Sequence, residues 1–343
     1  MSQRIVWIDC WKGIAIITVV ISHVVEPVSK YFFWFHMPLF FFMSGYLYQK
    51  KFDNFTFLKR KFSHLIIPYC SFLVLLSIPQ YALYILKIWQ QGKNNDFNEI
   101  WEFTFNLIYG GKNLTGSFGI FWFVTCLFFT QQLYNWLYSK FGSNKWLMIK
   151  IMLGFYCLAM INFWYLKNVS FPWSLNVVAL ALPFYWIGHM TAKFSAINTA
   201  TPVIVSVIIF VTAIISERCH WLDLSFNMKY INYGFLGINI IIALSGIIMT
   251  QWLAKKIDSK AYLGNGLIEI GKASMVIMYL HQIIQLNFSK YPILNNEFIK
   301  LLAGLLIPYT FYKIISNYSI MRRLFLGEVA TNTVVKVPDT SKV

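Results

Sequence analysis

Residues 11–30 read WKGIAIITVVISHVVEPVSK, an apolar helix with Lys12 near one end and His23 eleven residues further on. At 3.6 residues per turn that spacing is about three turns, so the two side chains share one face within roughly 20° and stand about 16 Å apart along the axis. A cation at a membrane edge then looks down a stripe towards an imidazole set in hydrocarbon. Ionisable groups at such depth are costly to insert and commonly line a cavity or a reaction path.

The remainder of the chain has the composition that such a helix requires. Of 343 residues 58% are hydrophobic and 12% charged, with a mean hydropathy of +0.57, which argues against a soluble domain. Apolar runs fall at about 13–29, 32–48, 64–87, 118–138, 146–166, 172–192, 202–217, 230–253, 271–288 and 299–317, each near the length of a spanning helix. The expected fold is all-α, a polytopic bundle of about ten transmembrane helices occupying residues 1–326, followed by a polar cytoplasmic tail over 327–343. The fifth run is interrupted by Asn162 and the seventh is short.

Assigning Lys and Arg to alternate sides of these runs splits them roughly 20 to 9 in favour of the N-terminal side, which places both termini in the cytoplasm. The net charge of +16 therefore reads as topology, with attraction to anionic lipid as a second effect. Nucleic acid is not an expected partner, because the basic residues are scattered over loops. The first apolar run reads as a retained anchor rather than a cleaved signal, since no small-residue cleavage site follows it. Cys10, Cys70, Cys126, Cys157 and Cys219 show no paired or metal-type spacing, so free thiols and no metal are expected. The longest external loop, about 89–117, either covers an opening or simply connects two helices.

The second run opens with Phe35, His36, Met37 and Pro38. Proline is tolerated at a helix start, and Ser44 and Gly45 further on are small enough for another helix to approach. The third is preceded by Lys59, Arg60 and Lys61, a topology signal that also lies where Lys12 would meet an anionic cosubstrate.

Asp9, Lys12, Gly13 and His23, followed by FHMPLFFFMSGY at 35–46, resemble the first two helices of the acyltransferase 3 family of integral membrane O-acyltransferases. The FHMP form is most similar to its fucose 4-O-acetylase-like branch. Trp122 and Phe123 leading into Leu127, Pro183 and Phe184 leading into Gly188, and Gly271, Ser274, Tyr279, Leu280 and His281 extend the likeness in order over almost the whole chain. The family more often has arginine where this chain has Lys12, which keeps the charge but loses the fork that binds phosphate in two places. The resemblance implies transfer of an acyl group, usually acetyl from acetyl-CoA, to a hydroxyl of a glycan. Some members carry an extra extracytoplasmic domain. Nothing of that size follows residue 317, so direct modification of a membrane-associated acceptor, a lipid-linked sugar or an extracytoplasmic polysaccharide at the bacterial cytoplasmic membrane, is expected.

The chemistry of the residues agrees with this. An acyl-CoA carries phosphates at one end and a thioester at the other, so cations must stand apart from the reacting group. Lys12, with Lys59, Arg60 and Lys61, are the donor-binding candidates. His23 is the candidate general base, and Glu26, three residues on, would orient it as a carboxylate does in a triad. His281 enters the ninth run about as deeply as His23 enters the first, and either shares its cavity or bridges two helices. His36 and Trp122 are acceptor-binding candidates near the external boundary, where an interfacial histidine and an aromatic belt are the plainer readings. His64 and His189 belong near the cytoplasmic edge. Asp9 pairs with Lys12 or caps the first helix. The competing functions are a glycan transporter or flippase, which predicts broken helices and pseudo-symmetric halves, and a non-catalytic subunit of a polysaccharide export system.

Overall fold

The computed structural model describes residues 6–91, 96–192, 200–257 and 262–328. From residue 329 onward the expected polar tail lies outside the described residues. Among them the regular elements are helices, with one isolated bridge between Asn227 and Asn232. In chain order they are α1 (Val6–Ser22), α2 (Glu26–Phe33), α3 (His36–Tyr46), α4 (Asn54–Lys61), α5 (Ile67–Gln91), α6 (Asp96–Tyr109), α7 (Trp122–Phe141), α8 (Lys145–Tyr165) and α9 (Val178–Thr191). They continue as α10 (Ala200–Arg218), α11 (Ile238–Ile257), α12 (Tyr262–Lys272), α13 (Ser274–Phe288), α14 (Glu297–Ile315) and α15 (Ser319–Leu326).

Among the described residues six helical segments are long and apolar enough to cross a bilayer, at Asn54–Gln90, Gly116–Phe141, Lys145–Tyr165, Ala200–Arg218, Ile238–Ile257 and Glu297–Ile315. A seventh crossing is available if α12 and α13, bent by 81° at their junction, act together. The chain is therefore a polytopic helical bundle. The apolar runs do not each become a helix of spanning length. Instead α1, α3 and α9, with 17, 11 and 14 residues, are short and largely buried, while α8, α10 and α14 turn Leu153, Leu158, Ile204, Ile208 and Ile307 outward. Such apolar outer faces are stable only against lipid.

Prolines set the breaks. Had α1 continued, the ring of Pro27 would meet the carbonyl of His23 four residues earlier, so the helix stops at Ser22 and Pro27 serves in the first turn of α2. Pro68 acts similarly on α5, which is entered through a π-helical turn at Phe62–Ile66. At that turn His64 Nδ1 pairs with the Gly327 carbonyl at 2.7 Å and ties α15 against α5.

Two seams hold the short helices at the centre. Helix α1 packs on α12, and α3 on α9. A Cβ added to Gly13 would lie 2.1 Å from the Leu267 carbonyl oxygen, and one on Gly271 would lie 1.8 Å from that of Asp9. The second seam repeats the device, with Gly45 against the Tyr185 carbonyl at 1.8 Å and Gly188 against that of Phe42 at 2.0 Å. Backbone thus touches backbone at both crossings, the arrangement that small residues permit in membranes. The bend between α12 and α13 is secured by Glu269, which pairs with Lys272 and reaches Lys313 of α14 at 2.7 Å.

Gly45→Ala and Gly188→Ala are each expected to lower the thermal midpoint of the detergent-solubilised protein, since overpacking costs about 1–3 kcal/mol. Gly154→Ala, on an open face of α8 with nothing within 4 Å of the added carbon, is expected to leave the midpoint unchanged or raise it slightly. Equal behaviour of the three variants would show that the seams do not depend on glycine.

Candidate active site

Three imidazoles meet where α1 ends. His23 is the first residue after α1, and its ring is exposed to an internal cavity of about 290 Å³ rather than pressed against lipid. The ring of His281, on α13 and wholly buried, lies 5.4 Å away between centroids and is tilted by 39°. His36, the first residue of α3 and 1% exposed, also lines the cavity. Phe33 fills the angle between the first and third of these rings, at 5.8 Å from His23 and 4.8 Å from His36.

Two of the rings have their tautomer set by helical geometry. His281 Nδ1 lies 2.9 Å from the Ile277 carbonyl and His36 Nδ1 lies 2.7 Å from that of Phe32. A carbonyl only accepts, so each Nδ1 carries the proton and each Nε2 is left as a lone pair. His281 Nε2 is buried with no hydrogen-bond partner, as is Oε1 of the next residue, Gln282, which lines the cavity. Unsatisfied buried acceptors of this kind ask for a donor from a ligand or from water.

Other walls come from Val19 of α1, Met37 and Phe40 of α3, Trp122 and Phe123 of α7, and Met278 of α13. Gly116, Gly119 and Ile120 close one side. Asn227, Met228, Lys229 and Tyr230 close another. Lys229 is 7% exposed and donates to the Leu114 carbonyl, and burial lowers its pKa to about 8.

Lys12 lines a second space, of about 240 Å³, with Ser44, Leu65 and Ser274. The two cavities adjoin through a shared wall of Phe40, Phe123 and Met278. The cation and the imidazole expected to face one path thus border two spaces with a common partition. Lys12 is not a free charge, because its Nζ pairs with buried Asp9 at 3.2 Å. Lys59, Arg60 and Lys61 end α4 with their heads over the rings of Phe55, Phe52 and Phe57. Leu65, one turn after Lys61, is the link between that basic helix and the Lys12 space.

The reading of Glu26 as the group that orients His23 needs correction. Pro27 ends α1 before that residue, so the i, i+3 relation within one helix is lost. Glu26 is exposed at the start of α2 and makes no hydrogen bond or ion pair to His23. Trp122 and His36, expected at a boundary, are buried wall residues. Near α15, His64 has the structural role described above, and His189 is buried against the Tyr134 hydroxyl at 2.6 Å. Sequence reasoning missed Lys229 and Gln282. The first was counted as an ordinary external loop charge, and no periodicity in a loop marks a side chain that turns inward.

Lys12→Ala is expected to destabilise the protein by about 1–3 kcal/mol, less than for a fully buried pair because Lys12 is 34% exposed. The double variant Lys12→Ala with Asp9→Asn is expected to recover most of the lost thermal midpoint. Recovery by the double variant would mark the pair as a structural element of α1, whereas a midpoint equal to wild type in Lys12→Ala alone would show that the pair carries no stability.

The sequence profile of the acyltransferase domain matches residues 5–316, nearly the whole chain and all of the elements that build the two cavities. No curated protein matches the chain, and no solved structure does. The chain belongs to the acyltransferase 3 family and is a multi-pass membrane acyltransferase.

Proposed function

We propose that this acyltransferase moves an acetyl group from cytoplasmic acetyl-CoA to a hydroxyl of a lipid-linked sugar or extracytoplasmic polysaccharide at the bacterial cytoplasmic membrane, as the fucose 4-O-acetylase-like branch of the family would. His23 is the general base. The observation that carries this reading is the pairing of His281 with His23, which lines an internal cavity that adjoins the space lined by Lys12.

In this reading the acceptor hydroxyl lies against His23. The imidazole takes the hydroxyl proton as the oxygen attacks the thioester carbon. A carbon–oxygen bond forms, the carbon–sulfur bond breaks, and the proton passes from His23 to the departing thiolate. His281, its Nδ1–H already given to the Ile277 carbonyl, offers only a lone pair at Nε2, so it accepts and cannot donate while neutral. That makes it a fixed acceptor for the attacking hydroxyl or for the imidazolium on His23. Walls of phenylalanine, methionine and tryptophan keep water from competing with the acceptor.

The donor's phosphates fit the basic side of the second space. Lys12 contributes as a point charge reduced by Asp9, so Lys59, Arg60 and Lys61 on the neighbouring α4 carry much of that attraction. The wall shared at Phe40, Phe123 and Met278 is where the arm between phosphates and thioester would pass. The transporter reading finds one observation in its favour, the bent α12–α13 pair. Alternating access calls for a second broken pair related to the first by pseudo-symmetry, and one bent pair of this kind is present among the described residues.

His23→Ala is expected to reduce acetyl-CoA consumption by the purified protein by about 10²–10⁴-fold, the range for loss of a general base. His281→Ala is expected to reduce it less. Mass spectrometry of surface glycan is expected to show a loss of one acetyl group per modified residue in cells carrying His23→Ala. Wild-type turnover in that variant, or impaired glycan export with acetylation unchanged, would sink the proposal.

A further inference from the structure

Resting on the acyl-transfer reading, we infer that the cavity is built for an acidic acceptor, a sugar whose carboxylate or phosphate pairs with Lys229. Lys229 is nearly buried, and no carboxylate among the described residues pairs with it. Its neighbours are the Leu114 carbonyl and the ring of Tyr230, 5.2 Å from Nζ. One of three ammonium donors is used on that carbonyl, leaving two for a ligand. No aspartate or glutamate lines the cavity, and a cation buried without a counter-charge is costly unless an anion completes it.

The backbone shows that the lysine is held inward. Asn227 and Asn232 pair through their main chains at 2.6 and 3.0 Å, closing a tight turn around Met228, Lys229, Tyr230 and Ile231. Ile231 has a φ of 54°, a left-handed conformation that a β-branched residue adopts only under constraint. Strain of this kind persists where surrounding structure over-determines it and gathers at binding sites. Here it accompanies Met228 and Lys229, both pressed into the cavity wall. Gln282 Oε1, on the same cavity, is a buried acceptor without a donor, and His281 Nε2, on the ring beside His23, is another. A cation that shares its cavity with an unsatisfied acceptor complements a ligand that carries negative charge beside a hydroxyl group, which is the chemistry of an acidic glycan.

The charge has two sources, a carboxylate on the sugar or the phosphate joining sugar to lipid. Both are tested on the full chain in phosphatidylcholine nanodiscs, by calorimetric titration with two matched pairs. One pair is cellobiouronic acid and cellobiose, and the other is farnesyl phosphoryl glucose and farnesyl glucoside. Wild type is expected to bind the anionic member of at least one pair about tenfold more tightly, as a charge-assisted contact provides. The pair that shows the preference identifies the source. Lys229→Met, which keeps the stem and removes the charge, is expected to bring the ratio to about one, and Lys229→Arg to retain it. Equal binding within both pairs by wild type, or no binding of either anion, overturns the inference without reference to any variant. A ratio that survives Lys229→Met also overturns it, as does a loss of turnover in Lys229→Met when wild type shows no preference, since that marks a role confined to the transition state. Intact anion preference with no acetyl-CoA turnover would instead overturn acyl transfer and leave the acidic site standing.

Discussion

Contact of backbone with backbone at two glycine seams is the constraint on which the remaining structure depends. In a bilayer, helices gain little from hiding apolar surface, because lipid tails are as apolar as leucine. Association has to come from close packing and from hydrogen bonds. Gly13 with Gly271 and Gly45 with Gly188 supply the first by letting α1 meet α12 and α3 meet α9 at a distance that no side chain would permit. Short, largely buried helices are thereby fixed at the centre, where their ends can be brought together without leaving backbone groups exposed to lipid.

The position of the imidazoles follows from those seams. With α1 fixed against α12, the 81° bend at residue 273 sends α13 back across the end of α1, and His281 arrives beside His23. The crossing is reinforced where Gln285 Nε2 donates to the Val20 carbonyl at 3.2 Å, in space left open by Gly304 of α14. Glu269, Lys272 and Lys313 hold the other side of the bend. On the second seam α3 hangs from α9, and its first residue, His36, faces the same cavity. Two of the imidazoles stand at helix ends, His23 after α1 and His36 at the start of α3, while His281 lies within α13, and the carbonyls of Phe32 and Ile277 set the tautomers of the last two.

Much of this was legible in the sequence, and the limits have physical causes. Hydropathy and charge identified the bundle, and eleven-residue spacing placed Lys12 and His23 along one helix, because α1 continues unbroken from one almost to the other. Glu26 was misplaced because helical spacing was carried through Pro27, a residue that ends a helix by removing a donor and crowding the carbonyl four residues back. Counting apolar runs of spanning length misjudged α3 and α9, since a helix buried at the centre of a bundle is as apolar as one that spans it. Lys229 was illegible because its burial depends on a strained turn in a long loop. Neither hydropathy nor period reports such a turn.

The loss of Glu26 from the site changes the electrostatic argument. In a hydrolase triad the carboxylate behind the histidine balances the positive charge that the ring acquires when it takes a proton. Here two imidazoles and one lysine line the cavity, a third imidazole stands beside His23, and no carboxylate is among the lining residues described. In the acyl-transfer reading the charge on His23 must be met from elsewhere, and two groups qualify. The Nε2 lone pair of His281 is one, a buried acceptor without a partner whose desolvation cost is offset when the imidazolium forms beside it. The other is the substrate, whose developing oxyanion appears at the moment the imidazolium forms. A site arranged in this way keeps its net charge through the proton transfer, because imidazolium and oxyanion form together, and its lone pair meets a charge that the ground state lacks. Its stabilisation is therefore concentrated on the transition state, where binding energy accelerates rather than merely retains.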